Sequence, residues 1–223
     1  KDYLNQRVEN ETTKFSNIGT YYDSRTQYYD NINSRSQAIS GKGYERDMSN
    51  QISLNKQRVA DMKSQLKKSV KSGIIEKYSK EWYDMQNEII QEETNVANQV
   101  IENAKNKFDK ITSDHDRKFD ILDKNQSRKK SSGSYESMDD YQAKINLTTK
   151  SIDDMKASLK KAVASGDIKV GTDAWFEMQS QILDTETSLK DLQETARKTR
   201  LEEMFERAAE TAQKFIDKLQ TIN

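Results

Sequence analysis

The sequence predicts an all-α protein, because proline is absent, charge is abundant and apolar residues recur at helical spacing. None of the 223 residues is proline, although average usage of about 5% would place roughly eleven in such a chain. Nearly every backbone N–H can therefore donate within a helix. Charged and hydrophobic residues each make up 33% of the chain, a balance that suits narrow apolar stripes better than one large core.

The first helix is predicted over residues 2–38. Its apolar seam runs from Leu4 through Phe15 to Ile39, with alternating steps of four and three residues that are typical of a heptad. Two glycines within residues 41–43 are predicted to end this helix, because glycine readily adopts the left-handed conformation past a helix C-terminus.

The second and third helices form a short and long pair. The second is predicted over residues 44–72 and ends at Gly73. Ser79 is the predicted N-cap of the third, since acidic residues follow it in the first turn. An apolar stripe then begins at Trp82 and continues for about 50 residues, until the loop predicted at residues 131–134.

The fourth and fifth helices repeat this pair. The fourth is predicted over residues 137–165 and ends at Gly166, and Thr172 is the predicted N-cap of the fifth. The stripe of the fifth helix reaches Ala196 and then slips in phase by about one residue before Leu201. This slip predicts that the stripe turns there to face a different partner.

An internal repeat with an offset of 93 residues relates these pairs. About half of the positions in residues 61–94 are identical to those in residues 154–187, and the identities lie at helix-core spacing. Each tryptophan opens a helix stripe, so we interpret it as a clasp over the link and not as a binding site. The repeated structural motif comprises Gly73, Trp82, Met85 and Ile89 in one copy and Gly166, Trp175, Met178 and Ile182 in the other.

The alternation of long and short helices predicts an elongated array of tandem helical repeats. Half of each long helix matches a short helix in length, so a long helix can belong to two successive three-helix bundles, as in spectrin-like architecture. The alternative is an extended, multi-stranded coiled coil in which the hairpins open. The predicted parts are the end of a preceding repeat at 1–14, bundles at 15–105 and 106–200, and the start of a further repeat helix at 201–223.

Composition argues against several classes of partner. The chain has 37 basic and 37 acidic residues, so no net field concentrates nucleic acid or an anionic membrane at its surface. No apolar run approaches the 18 or more residues of a spanning helix. The absence of cysteine excludes disulfides and thiol chemistry.

No group of residues forms a convincing reactive site. The single histidine, His115, lies on the heptad seam, and we predict a polar core position because no second histidine or cysteine completes a metal site. Residues 166–172 have two glycines at phosphate-loop spacing, but they lack the lysine and the preceding strand. We therefore predict no catalytic residue, no metal site, no cofactor and no enzymatic activity.

Four aspartates cluster on the third predicted helix. They lack the glycine and the closing glutamate of a calcium-binding loop. Basic neighbours such as Arg117, Lys118 and Lys124 instead predict ordinary ion pairs. The four are Asp114, Asp116, Asp120 and Asp123.

A motif at the helix joints is similar to a known family. It reads Val-x-Ser-Gly-x-Ile-x-x-x-[Ser/Thr]-x-x-Trp-[Tyr/Phe]-x-Met-Gln-x-x-Ile and covers Val70–Ile89 and Val163–Ile182. It resembles segments of tape measure proteins from long-tailed phages of Gram-positive bacteria, above all at residues 171–178. In the first copy Tyr78 replaces the second glycine, which affects the link and not the stripe.

The resemblance implies a structural virion protein that fills the tail tube, sets tail length and leaves ahead of the DNA. It implies self-association, tail tube and tail assembly proteins as partners, assembly in the bacterial cytoplasm and a final place in the tail interior. Neither a small-molecule substrate nor specific nucleic acid binding is expected. The alternative function is a non-enzymatic, spectrin-like spacer or surface stalk.

Overall fold

The computed structural model describes residues 2–40, 44–131 and 138–220. Within these ranges the chain forms five helices and no strand, which confirms the all-α prediction. The terminators predicted at 41–43 and residues 132–134 of the loop predicted at 131–134 lie outside the described residues. Ser131 was also assigned to that loop, but it is the last residue of a helix. The helices are α1 (Asp2–Ser40), α2 (Tyr44–Lys71), α3 (Lys80–Ser131), α4 (Met138–Ala164) and α5 (Asp173–Gln220).

The chain divides into two compact units, Lys1–Lys105 and Asn106–Asn223. Helix α3 is continuous through this boundary and has 52 residues, whereas α2 has 28 and α4 has 27. The predicted alternation of long and short helices is therefore confirmed.

The core of the first unit is built from α1, α2, the link after α2 and the start of α3. One cluster of buried residues draws on all four of these segments. Its flanks are covered by partly buried side chains that include Val59 and Trp82. The six members of the cluster are Phe15, Met62, Leu66, Ile75, Met85 and Ile89.

The second unit buries the same positions of the repeat. Each member of the first core has a buried counterpart 93 residues later, and all six counterparts are the same amino acid. In the second unit α4 packs against α5, and in the first unit α1 packs against α2. The counterparts are Phe108, Met155, Leu159, Ile168, Met178 and Ile182.

The glycines end the short helices as predicted. Gly73 and Gly166 have φ values of 69° and 77°, a left-handed conformation that costs glycine little and other residues about 1–2 kcal/mol. The Gly73 amide donates to the Val70 carbonyl at 3.0 Å, and the Gly166 amide donates to the Val163 carbonyl at 3.1 Å. Both helices therefore stop with the same backbone geometry.

Candidate functional site

The joint between each short helix and the next long helix is the most strongly repeated part of the structure. After Gly73 the chain turns so that the Ile75 amide donates to the Ser69 carbonyl at 3.2 Å, and the Ile75 side chain enters the core. In the second copy the Ile168 amide donates to the Ala162 carbonyl at 3.1 Å, and Ile168 is buried. These isoleucines anchor the links.

The motif residues take distinct places at this joint. Met85 and Ile89 belong to the core cluster of the first unit, and their repeat partners Met178 and Ile182 are also buried. Gly73 and Gly166 lie in open space at the turn. Ile75 and Ile168 belong to the joint motif, two residues after each glycine, but they were not among the residues predicted to form its structural core.

The tryptophans flank the core and do not fill it. Trp82 is half-buried, packs against the core cluster and makes edge contacts with the rings of Tyr78 and Tyr83, whose centroids lie 5.2 Å and 5.0 Å away. The Trp82 amide donates to the Ser79 hydroxyl at 3.2 Å, so Ser79 caps α3 as predicted. The ring therefore covers the link from outside.

Tyr78 keeps the backbone shape that glycine has in the other copy. Its φ is 70°, whereas φ at Gly171 is 85°. A residue with a Cβ pays about 1–2 kcal/mol for this left-handed conformation. The Tyr78 ring contacts Trp82, and Lys77 Nζ lies 4.7 Å from its centroid. These ring contacts offset part of the strain.

A buried carboxylate joins α1 to α2 in the first unit. Glu11 accepts hydrogen bonds from Ser69 Oγ, Gln65 Nε2 and Lys14 Nζ, each at 2.7 Å. The hydrogen bond from Lys14, followed by that from Ser69, holds the pKa of Glu11 below its usual 4.5. The charged form of Glu11 is therefore the one that the fold stabilises.

We expect Glu11→Gln to destabilise the first unit by about 1–3 kcal/mol at pH 7, because the buried network loses its negative charge and one of the two oxygens that accept its hydrogen bonds. Because the folded pKa of Glu11 is lowered, its contribution is present above the unfolded pKa near 4.5 and is lost as pH falls through the folded value. Urea unfolding of both proteins at pH 7 and pH 3 checks this. A gap between them that is unchanged at pH 3 would contradict the role of the charge.

A second polar contact joins the same helices further along. Tyr22 is buried, and its hydroxyl donates to Asp61 Oδ2 at 2.6 Å. This hydrogen bond, with burial as the next cause, raises the pKa of Tyr22 to about 12. Asp61 is exposed, so its carboxylate stays hydrated if the phenol is removed.

Tyr22→Phe is therefore expected to cost only about 0.5–1.5 kcal/mol at neutral pH. Because the folded pKa of Tyr22 is raised, the contribution is complete below the usual tyrosine pKa of 10.0 and is lost as pH rises towards about 12. Unfolding free energies of the parent and the variant at pH 8 and pH 11 test both points. A difference that grows with pH would contradict the assignment.

His115 occupies the repeat position of Tyr22 and makes a similar contact. Its Nε2 lies 3.1 Å from Oγ1 of the buried Thr148 on α4, and its Nδ1 lies 3.1 Å from Asp116 Oδ1. The side chain is 14% exposed. These contacts confirm the predicted polar core position.

Each of the four clustered aspartates has a basic partner. Asp114 lies 3.9 Å from Arg117, Asp120 lies 2.5 Å from Lys124, and Asp123 pairs with the buried Lys144 of α4. Asp116 faces His115. No group of three or more His, Cys, Asp or Glu side chains in the described part of the chain could hold a metal ion.

Ion pairs between helices are partly repeated and partly individual. Lys63 pairs with Glu93 at 2.5 Å, and Lys156 pairs with Glu186 at 2.6 Å, at matching positions of the two units. Arg58 contacts both Asp23 of α1 and Glu92 of α3, at 2.7 and 3.0 Å, and thereby joins three helices. The second unit has Ser151 in place of this arginine.

Among the residues that the structure describes, no helix is both long enough and apolar enough to cross a membrane. Comparison with protein families, with curated proteins and with solved structures finds no match for this chain.

Proposed function

We propose that this chain is a structural segment of the tape measure protein of a long-tailed phage of Gram-positive bacteria. The observation that carries the proposal is the repetition of one core at an offset of 93 residues, from Phe15 and Ile75 to Phe108 and Ile168. A protein that acts by length gains from adding like units, and repeat proteins do so with little change to their neighbours. The joint motif supplies the resemblance to this family.

The repeat gives each unit a defined length in two states. As continuous helix, 93 residues would span roughly 140 Å, whereas a helix of 28 residues, the length of α2, spans only about 42 Å. A ruler that lines a tail tube would use the extended state. The folded hairpins would then be the form of the free chain, and opening them would expose the core stripes to other copies.

In this role the chain associates with itself, with the tail tube and with tail assembly proteins. The exposed surface carries balanced charge, with 37 basic and 37 acidic residues in the chain. Such a surface does not bind passing DNA strongly through charge alone. The proposed place of action is the tail interior, after assembly in the bacterial cytoplasm, and no chemical reaction is part of the role.

Purified particles test this proposal. An antibody against this chain should detect it in disrupted intact particles and should find it depleted in particles that have ejected their DNA. The major tail tube protein, which remains in both, provides the loading control. A chain present in equal amounts before and after ejection would contradict a tape measure role.

The folded bundles themselves favour a second candidate, a spectrin-like spacer or surface stalk. Such a protein keeps its hairpins closed, because the folded bundle is the form that holds its two ends apart. Labelling of intact cells with the same antibody distinguishes the two candidates. Surface labelling in the absence of phage particles would favour the stalk.

A further inference from the structure

The last part of α5 carries a row of exposed apolar side chains. Among the side chains of α5 whose burial the structure describes, Ala196 is the last buried apolar one. Beyond it, residues 201, 205, 208, 212 and 215 follow steps of four and three, the spacing of a coiled-coil seam. The large apolar residues and their exposed fractions are Leu201 45%, Met204 59%, Phe205 74%, Phe215 63% and Ile216 46%.

Comparison with the two earlier copies of the repeat shows how this stretch differs from them. Leu201 corresponds to Phe15 and Phe108, which are only 2% and 0% exposed. Two helical turns after these phenylalanines, Tyr22 and His115 hydrogen-bond to the short helix that follows them. The corresponding residue in α5 is alanine, at position 208. This copy therefore lacks the polar group with which a short helix of the α2 or α4 kind is held.

The seam is also symmetric about Glu210. Phe205 and Phe215 lie at equal distances on either side of it, and so do Ala208 and Ala212. Met204 mirrors Ile216 in the same way. An antiparallel pair of these segments would place Phe205 level with the partner's Phe215, and each alanine level with an alanine.

Two pairs of charged residues follow the same symmetry with opposite sign, whereas Glu203 mirrors Asp217 and Glu210 mirrors itself. Glu202 mirrors Lys218, and Glu206 mirrors Lys214, on either side of residue 210. In an antiparallel pair each of these glutamates lies at the height of a lysine, whereas a parallel pair places glutamate beside glutamate. Glu202 and Lys218 flank the seam directly, at the positions whose charges help to set helix orientation in coiled coils, and Glu206 and Lys214 lie one position further out.

We propose that residues 201–218 of α5 pair with the same residues of a second copy in an antiparallel, two-fold symmetric coiled coil. A two-fold contact uses one patch twice and must be self-complementary, which is the property that the size and charge symmetry supply. The paired stretch is about 27 Å long. This inference depends on the exposed seam alone and does not rest on the tape measure role.

Sedimentation of the full chain over micromolar concentrations tests the pairing. The mass should double with concentration, and Phe205→Glu should weaken dimerisation at least about tenfold, because the aromatic layer is lost. The matched control is Leu183→Glu on the same helix, since Leu183 is 57% exposed and lies outside the seam. A parent chain that stays monomeric, or a control that dissociates equally, would overturn the proposal.

Single cysteines determine the orientation, because the chain has no cysteine of its own. Ala208→Cys and Ala212→Cys variants should form a disulfide with each other when mixed, since antiparallel pairing puts these positions in one layer. Ala208→Cys alone should cross-link much less. Efficient cross-linking of Ala208→Cys with itself would show a parallel pair and overturn the antiparallel arrangement.

Discussion

Phe15→Ala is expected to lower the unfolding free energy of the first unit by about 3–5 kcal/mol. Phe15 is 2% exposed and contacts a cluster that includes Met62 and Leu66 of α2. Truncation removes the transfer free energy of the ring and leaves a cavity among side chains that three segments hold in place. Urea unfolding followed by Trp82 fluorescence, in a Trp175→Phe background, reports this unit alone.

Phe176→Ala is the matched control for this experiment, because it makes the same chemical change at a residue that is 58% exposed. Monitored through Trp175 in a Trp82→Phe background, it should change stability by no more than about 0.5 kcal/mol. Equal losses from the two substitutions would show that the first unit does not have the core described for it.

Ile168→Ala is expected to destabilise the second unit by about 2–5 kcal/mol. Ile168 is buried in the link between α4 and α5, and its amide is fixed by a hydrogen bond to the Ala162 carbonyl. Loss of its side chain leaves a cavity at the turn where the two helices reverse. Thermal unfolding followed by Trp175 fluorescence measures the effect.

Val170→Ala tests the same link at an exposed residue and should have an effect within about 0.5 kcal/mol. Because Ile75 is the repeat counterpart of Ile168, Ile75→Ala should destabilise the first unit to a similar extent. A small effect of Ile168→Ala together with a large effect of Val170→Ala would mean that the link is not anchored by its buried isoleucine.

The helices and their ends could be predicted because local patterns determine them. The absence of proline and the steps of three and four residues predict the length and the buried face of α3. Gly73 and Gly166 end the short helices through their own backbone conformation, without help from tertiary contacts. The heptad seam also predicted that His115 faces the core. Each of these features depends on near neighbours in sequence.

Contacts that depend on the relative register of two helices were not predicted. Glu11 interrupts an apolar seam, and nothing near it in sequence shows that Ser69 and Gln65 will donate to it. In the same way, the sequence near Arg58 does not indicate that this side chain will contact both Asp23 of α1 and Glu92 of α3. Periodicity specifies which face of a helix is buried, but the height at which one helix meets another emerges only from packing.

The change of partner predicted at the end of α5 stays a prediction. The phase slip after Ala196 predicted that the stripe turns towards a different partner. In the structure the large apolar residues from Leu201 onward are exposed, whereas their repeat counterparts Phe15 and Phe108 are buried. The pattern identified the stripe, but only the structure distinguishes the exposed copy from the two covered ones.

The most direct test of the proposed length role is to remove one repeat unit in a phage that carries this chain. Deletion of residues 62–154 joins Asp61 to Met155 and restores the Asp-Met pair of the repeat, so the remaining joint keeps its sequence. Tail lengths are then measured by electron microscopy. A ruler used in the extended state predicts tails shorter by roughly 140 Å. Tails of unchanged length would contradict the length role.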